Sequence, residues 1–175
     1  MSAPAADDRV PMTMRRLRLR PLGPADQSFL WEMLHVALWD PPPAPPRPRA
    51  VLEEPGVRIY AEGWGRAGDI GVAGERPDAP GPIGACWMRQ VPDGQGLAYV
   101  DEHTPQLGIG LLPAFQRQGH GRTLMRAALE AARTAGVRQV SLTVHPENPA
   151  RLLYAQCGFR PAGERRGYRL MVASL

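Results

Sequence analysis

The chain has 175 residues, 43% hydrophobic and 22% charged, which suits one domain able to bury its own core without disulfides. No apolar run approaches the ~20 residues of a membrane span, and Met1–Pro11 lacks the apolar stretch of a signal peptide, so a cytoplasmic protein with no membrane partner is expected. The net charge of +4 comes with arginine as the only strong base. These arginines run from Arg9 to Arg169 and, where densest (Arg15 to Arg20, Arg165 to Arg169), alternate with apolar residues as exposed strand faces do, so nucleic acid is not an expected partner.

Residues 1–12 are small, polar and proline-containing and read as a loose tail, leaving 13–175 as the folded domain. Met14 to Arg20 alternates like a strand, and Pro21-Leu-Gly-Pro24 breaks it. Ala25 to Trp39 repeats apolar residues at i, i+3 and i+4 and predicts an amphipathic helix. The Pro41 to Pro48 run ends it and reads as a stiff, extended surface loop rather than a ligand for a partner. Val57 to Tyr60 predicts a short strand, Gly63 to Pro82 hairpin strands and turns, and Ile83 to Val91 a strand. Leu97 to Val100 and Gln106 to Leu112 read as two more strands. Gly119 to Ala135 carries the clearest helical stripe, Leu124, Met125, Ala128, Leu129 and Ala132, stopped by Gly136. Val137 to Val144 is β-rich. Asn148-Pro149 opens a short helix that Gly158 ends, and two strands joined at Arg165-Arg166-Gly167 finish the chain. The order β-α-β-β-β-α-β-α-β-β predicts a mixed α/β sheet in one domain. Cys86 and Cys157 form no CxxC pair, so two buried thiols are expected and neither a disulfide nor a metal site.

The stretch from Leu107 to Arg122 carries the chemistry. A strand runs into a glycine-containing loop that enters the longest helix. The first four N–H groups of a helix lack internal partners, and the helix dipole places partial positive charge there. Gly119 and Gly121 let an anion approach the backbone, and Arg117 and Arg122 add charge. These features suggest a diphosphate cradle between Gln116 and Arg122, while the spacing alone equally allows an ordinary strand-to-helix turn. Neither a Walker loop nor a dinucleotide fingerprint is present, because no Gly-Lys-Ser/Thr follows and Leu124 occupies the third glycine position.

Gln116-x-x-Gly119-x-Gly121 resembles the Q/R-x-x-G-x-G/A signature of the GNAT superfamily of acetyl-CoA-dependent N-acyltransferases. Asn148-Pro-Ala150-Arg-Leu-Leu153-Tyr154-Ala-Gln-Cys-Gly158-Phe159 is similar to that family's second motif. The resemblance implies a single domain with a central mixed, twisted sheet flanked by helices, acetyl-CoA as cosubstrate, and acetyl transfer to an amine of a small molecule or peptide. It implies that the backbone of Ile109, Gly110 and Leu111 pairs with pantetheine. Gln116, Arg117, Gln118, Gly119, His120, Gly121 and Arg122 would hold the diphosphate. Asn148 would bond the cofactor arm, and Tyr154 would lie at the thioester sulfur as general acid. Backbone N–H near Leu111 suits the developing oxyanion.

The departures from the family concern the base. Gln106 and Thr143 stand where members carry acids, and the Asn148-to-Tyr154 spacing is one residue shorter than in many of them. Glu102, with Asp101 and His103, precedes the cofactor strand and supplies candidate bases, with His145 behind them; water is the alternative. Trp31, His35, Trp39, Tyr60 and Trp64 concentrate aromatic surface on the acceptor side, where Glu32 or Glu62 would orient an amine. His120 reads as a surface residue. A non-catalytic acyl-CoA sensor of the same fold is the second reading. A homodimer through the terminal strands is the further expectation the resemblance carries.

Overall fold

The computed structural model describes residues 16–175. The expected tail and the start of the first predicted strand lie outside the described residues. One seven-stranded sheet has the order β1-β2-β3-β4-β5-β7-β6, with β1 Arg18–Pro21, β2 Ile70–Glu75, β3 Pro82–Arg89, β4 Gln106–Leu111, β5 Gln139–Val144, β6 Arg160–Arg165 and β7 Tyr168–Ser174. The helices are α1 Gln27–Ala37, the single turn α2 Pro55–Arg58, α3 His120–Thr134 and α4 Ala150–Gln156. The mixed α/β expectation holds, as do most element positions.

Two predicted strands are absent. Val57 to Tyr60 sits in and just after α2, because Pro55 at the first helical position pre-sets φ for a helical turn. Leu97 to Val100 is a turn following Gly94 and Gly96, both at φ +76°. The final hairpin turns through left-handed Arg166 and Gly167 at φ +48° and +82°, the pair of positive φ angles a two-residue hairpin loop needs.

Neighbouring residues of β2 and β3 supply opposite faces of the sheet. Val72, Cys86 and Met88 join Leu124, Met125, Ala128 and Leu129 of α3 and Tyr154 of α4 in one core. Ala73, Ala85 and Trp87 join Leu30, Met33 and Leu34 of α1 in the other. Cys86 is fully buried and Cys157 half-buried, both as free thiols.

α1 lies directly on β4. A Cβ at Gly110 would stand 2.6 Å from the Met33 carbonyl oxygen, and one at Gly108 would meet the Trp87 ring at 2.7 Å. Backbone cannot yield as a side chain can, so Gly110→Ala is expected to lower stability by about 1–3 kcal/mol, read as a lower denaturant midpoint.

A buried ion pair fixes the segment between Ile59 and Asp69 against β3. Arg89 and Asp69 are 2% and 5% exposed and meet through two hydrogen bonds of 2.9 and 2.6 Å. Arg89 also donates to the carbonyls of Ile59 and Glu62, and its guanidinium lies 5.4 Å from the Trp64 ring centroid. Burial alone would raise the Asp69 carboxyl; Arg89 and the N–H groups of Gly65 and Arg66 outweigh it and hold it below its ordinary value. Asp69→Ala strands Arg89 and should cost about 3–5 kcal/mol. A depressed folded pKa contributes stability above the unfolded carboxyl value, lost as pH falls below it, so denaturant midpoints of the variant should lose part of the wild-type acid dependence.

Candidate active site

Among the described residues β4 and β5 are the only parallel neighbours in the sheet, and they pair at one position, Gln106 with Ser141, where Ser141 N–H also donates to Pro105 at 3.1 Å. Beyond that point they diverge. Leu112 N–H donates to Ile83 at 2.8 Å, which sets the phase of the antiparallel β3–β4 ladder. By that alternation Gly110 and Gly108 turn their main-chain groups to β3, while Ile109 and Leu111 present theirs to the gap. A cleft of about 970 Å³ opens there, lined among others by Ile109, Thr143, His145, Asn148 and Tyr154.

The loop after β4 leads into α3. Arg117 and Gly119 are left-handed, at φ +59° and +85°. Among the described residues, no acceptor is paired with the N–H groups of Arg117 through Arg122. Those free amides and the dipole of a 15-residue helix are the features that suit an anion at a helix head. Gln116 Nε2 donates back to Leu111 O at 2.9 Å and Gln118 Nε2 to Ala114 O at 3.0 Å, which bracket the loop. The two glycines differ in surroundings. Nothing lies within 4 Å of a Cβ built on Gly119, whereas one on Gly121 would meet Leu153 at 3.3 Å and Leu111 at 3.6 Å. Gly119 is therefore open toward an anion, and Gly121 is small because α3 approaches α4 and β4 there. Arg117 and Arg122 are exposed, and Arg122 donates to Gln156.

His120 is buried at 6%, against the surface position expected for it. Burial, and then the nearby Arg76 charge, hold its imidazole below the ordinary value, with Asp78 opposing. The unfolded chain therefore takes up this proton first. Its contribution to stability is complete above the ordinary histidine value of about 6.5 and declines as pH falls below it. The expected result is a lower urea midpoint at pH 5.5 than at pH 7.5, with a smaller difference in His120→Asn.

Asn148 accepts from Ala150 N–H at 2.9 Å, so it caps α4 while also lining the cleft. Tyr154 is 9% exposed, lines the cleft and packs on Phe159 with ring centroids 6.2 Å apart. Burial, with Cys86 nearby, pushes its phenol above the ordinary range, so it stays protonated at neutral pH.

The candidate bases separate. Glu102 and His103 are 81% and 87% exposed and face each other at 3.4 Å, and Asp101 closes its own turn on His103 N–H and the Thr104 hydroxyl. None of the three lines the cleft, so the structure does not bring Glu102 to Tyr154. His145 does line it, between Trp39 and Tyr168. Its Nδ1 accepts from Glu147 N–H at 3.1 Å, so the neutral ring carries its proton on Nε2 and has no free lone pair to serve as base.

On the acceptor side Trp39 and Tyr60 line the cleft, while Trp64 is buried and Trp31 packs against the α1 core. His35 bonds the Arg47 carbonyl at 2.7 Å. Glu32 pairs with Arg49 and Glu62 with Arg58, outside the cleft lining. Sequence reasoning missed two wall elements and the pairing of Tyr60, which it had named. Tyr60 donates to the buried Gln106 at 2.6 Å. The Asp93 to Val100 loop is tied down through Ala98, whose N–H meets Gln106 and whose carbonyl accepts from Ser141. Arg47, in the proline run, pairs with Asp40 and donates to Tyr168, 121 residues away, at 3.0 Å. All three depend on long-range pairing, which leaves no local signal.

Residues 31–159 match the acetyltransferase (GNAT) family, and the chain belongs to that family. It is 34% identical over 74 residues to a candidate ribosomal protein bS18-alanine N-acetyltransferase of Bacillus subtilis, covering 42% of this chain and 49% of that protein. It is 37% identical over 93 residues to mycothiol acetyltransferase of Beutenbergia cavernae, covering 52% and 29%. The matched stretches thus span half or less of these relatives. The fold is shared with the GNAT domain of an S. lividans PAT (TM-score 0.62, 18% identity, 91% and 90% coverage). It is also shared with the PaiA N-acetyltransferase of Thermoplasma acidophilum crystallised with coenzyme A (TM-score 0.62, 13% identity, 91% and 99% coverage).

Proposed function

We propose that the protein transfers an acetyl group from acetyl-CoA to the amine of a small molecule or peptide. What supports this is the Ile109 edge of β4 and the Tyr154 phenol on one cleft, with the unpaired amides at the head of α3 following β4 directly in the chain. The residues present fit the cosubstrate: the amides of Arg117 through Arg122 hold the diphosphate, Ile109 and Leu111 offer an edge for the pantetheine amides, and Asn148 adds a polar contact. Acetyl-CoA supplies an electrophilic acetyl thioester at the end of that arm.

The chain's own groups then do three things. Leu111 N–H, free of β3, stabilises negative charge developing on the carbonyl oxygen. The cleft walls orient the amine, which gives its proton to water before attack. Tyr154 gives its phenolic proton to the departing thiolate. Support for both acceptor classes comes from the relatives, one named for a protein alanine and one for a small thiol. The test is thiol release from acetyl-CoA with an amine panel that includes an alanine-initiated peptide and small amines. Release dependent on an amine supports transfer. Tight binding of coenzyme A with no release across the panel would favour an acyl-CoA sensor instead.

A further inference from the structure

The diphosphate loop is gripped from outside by a side chain of the β2–β3 hairpin. Arg76 follows a register shift at Gly74/Glu75, and such bulges re-aim the residues beside them. Its side chain is only 8% exposed. The guanidinium lies 5.4 Å from the Phe115 ring centroid, and Nη1 donates to Gln118 Oε1 at 3.3 Å and reaches His120 Nε2 at 3.5 Å. Asp78 holds the other side of the fork, with Nε to Oδ1 at 2.7 Å and a second bond from Nη2. Its charge is thereby matched within the protein, and Nη1 is the donor that points at the loop.

We propose that Arg76 is a positioning residue for acetyl-CoA: by holding Phe115, Gln118 and His120 together it keeps the loop in the shape that leaves the amides of Arg117 through Arg122 free. The proposal rests on the acetyl-CoA reading above. Arginine suits this role because its planar fork bonds Asp78 and Gln118 and stacks on Phe115 at once, which a lysine ammonium cannot do.

The test is calorimetric titration of coenzyme A into wild type, Arg76→Ala and Arg76→Lys, with the His120 ring followed by NMR across pH. Affinity should fall about tenfold in Arg76→Ala, the size expected for losing one charge-assisted hydrogen bond. Arg76→Lys should retain most of that loss. The groups facing His120 are Arg76 and Asp78, so removing the cation should move its titration midpoint upward. Unchanged affinity in Arg76→Ala, full rescue by lysine or an unmoved His120 midpoint would each overturn the proposal. Should Arg76→Ala fail to unfold cooperatively, Asp78→Asn replaces it, with several-fold weaker binding expected and unchanged binding contradicting. Failure of wild type to bind coenzyme A would instead remove the acetyl-CoA reading itself.

Discussion

Changing Tyr154 to phenylalanine should lower kcat by about 10²- to 10⁴-fold, the range a positioned general acid contributes, and leave the affinity for coenzyme A near wild type. The ring still packs on Phe159, and among the described residues no side chain or backbone group is hydrogen-bonded to the hydroxyl, so its removal strands no partner there. Loss of activity would therefore report proton donation rather than a damaged core. The pH dependence has a definite sign. Burial disfavours the phenolate, so the donor stays protonated beyond the ordinary tyrosine value of about 10. The wild-type kcat profile should show no alkaline decline from this group up to about pH 10. Wild-type turnover in the phenylalanine variant would remove Tyr154 from the mechanism.

Gly119→Val should weaken coenzyme A binding by about 100-fold, the worth of one or two charge-assisted hydrogen bonds. Two physical effects act together. Gly119 has φ +85°, a region where a β-branched residue is strained. The space above its Cα is open, so the new side chain would fill the position the loop leaves for an anion. Gly121, the other motif glycine, is a poorer probe. A bulky residue there would press on Leu153 and Leu111, and lost binding would be confounded with α3 being displaced from its neighbours. Calorimetry on Gly119→Val, with the unfolding midpoint measured alongside, separates the two effects.

The elements legible in the sequence are those with local causes. The α3 stripe, the cap at Asn148 and the Arg166-Gly167 turn are written in spacing and backbone preference, and each stands where expected. The free amides at the head of α3 were legible for the same reason, because they follow from the strand, glycine and helix order. What escaped had one local cause and otherwise was set at a distance. Pro55 overrode the β-branched Val57 and Ile59. Ala98 was drawn onto Gln106 and Ser141 as a turn rather than a strand. Glu102 looked well placed beside β4 in the chain, yet its turn projects it into solvent. His120 looked exposed in a polar loop, yet Arg76, arriving from another hairpin, covers it.

The most direct measurement is a crystal structure of the chain with acetyl-CoA. It should show diphosphate oxygens within hydrogen-bond distance of the main-chain N–H groups between Arg117 and Arg122, the arm alongside Ile109 and Leu111, and the Tyr154 hydroxyl facing the thioester sulfur. A diphosphate bound elsewhere, or a sulfur beyond reach of that hydroxyl, would contradict it.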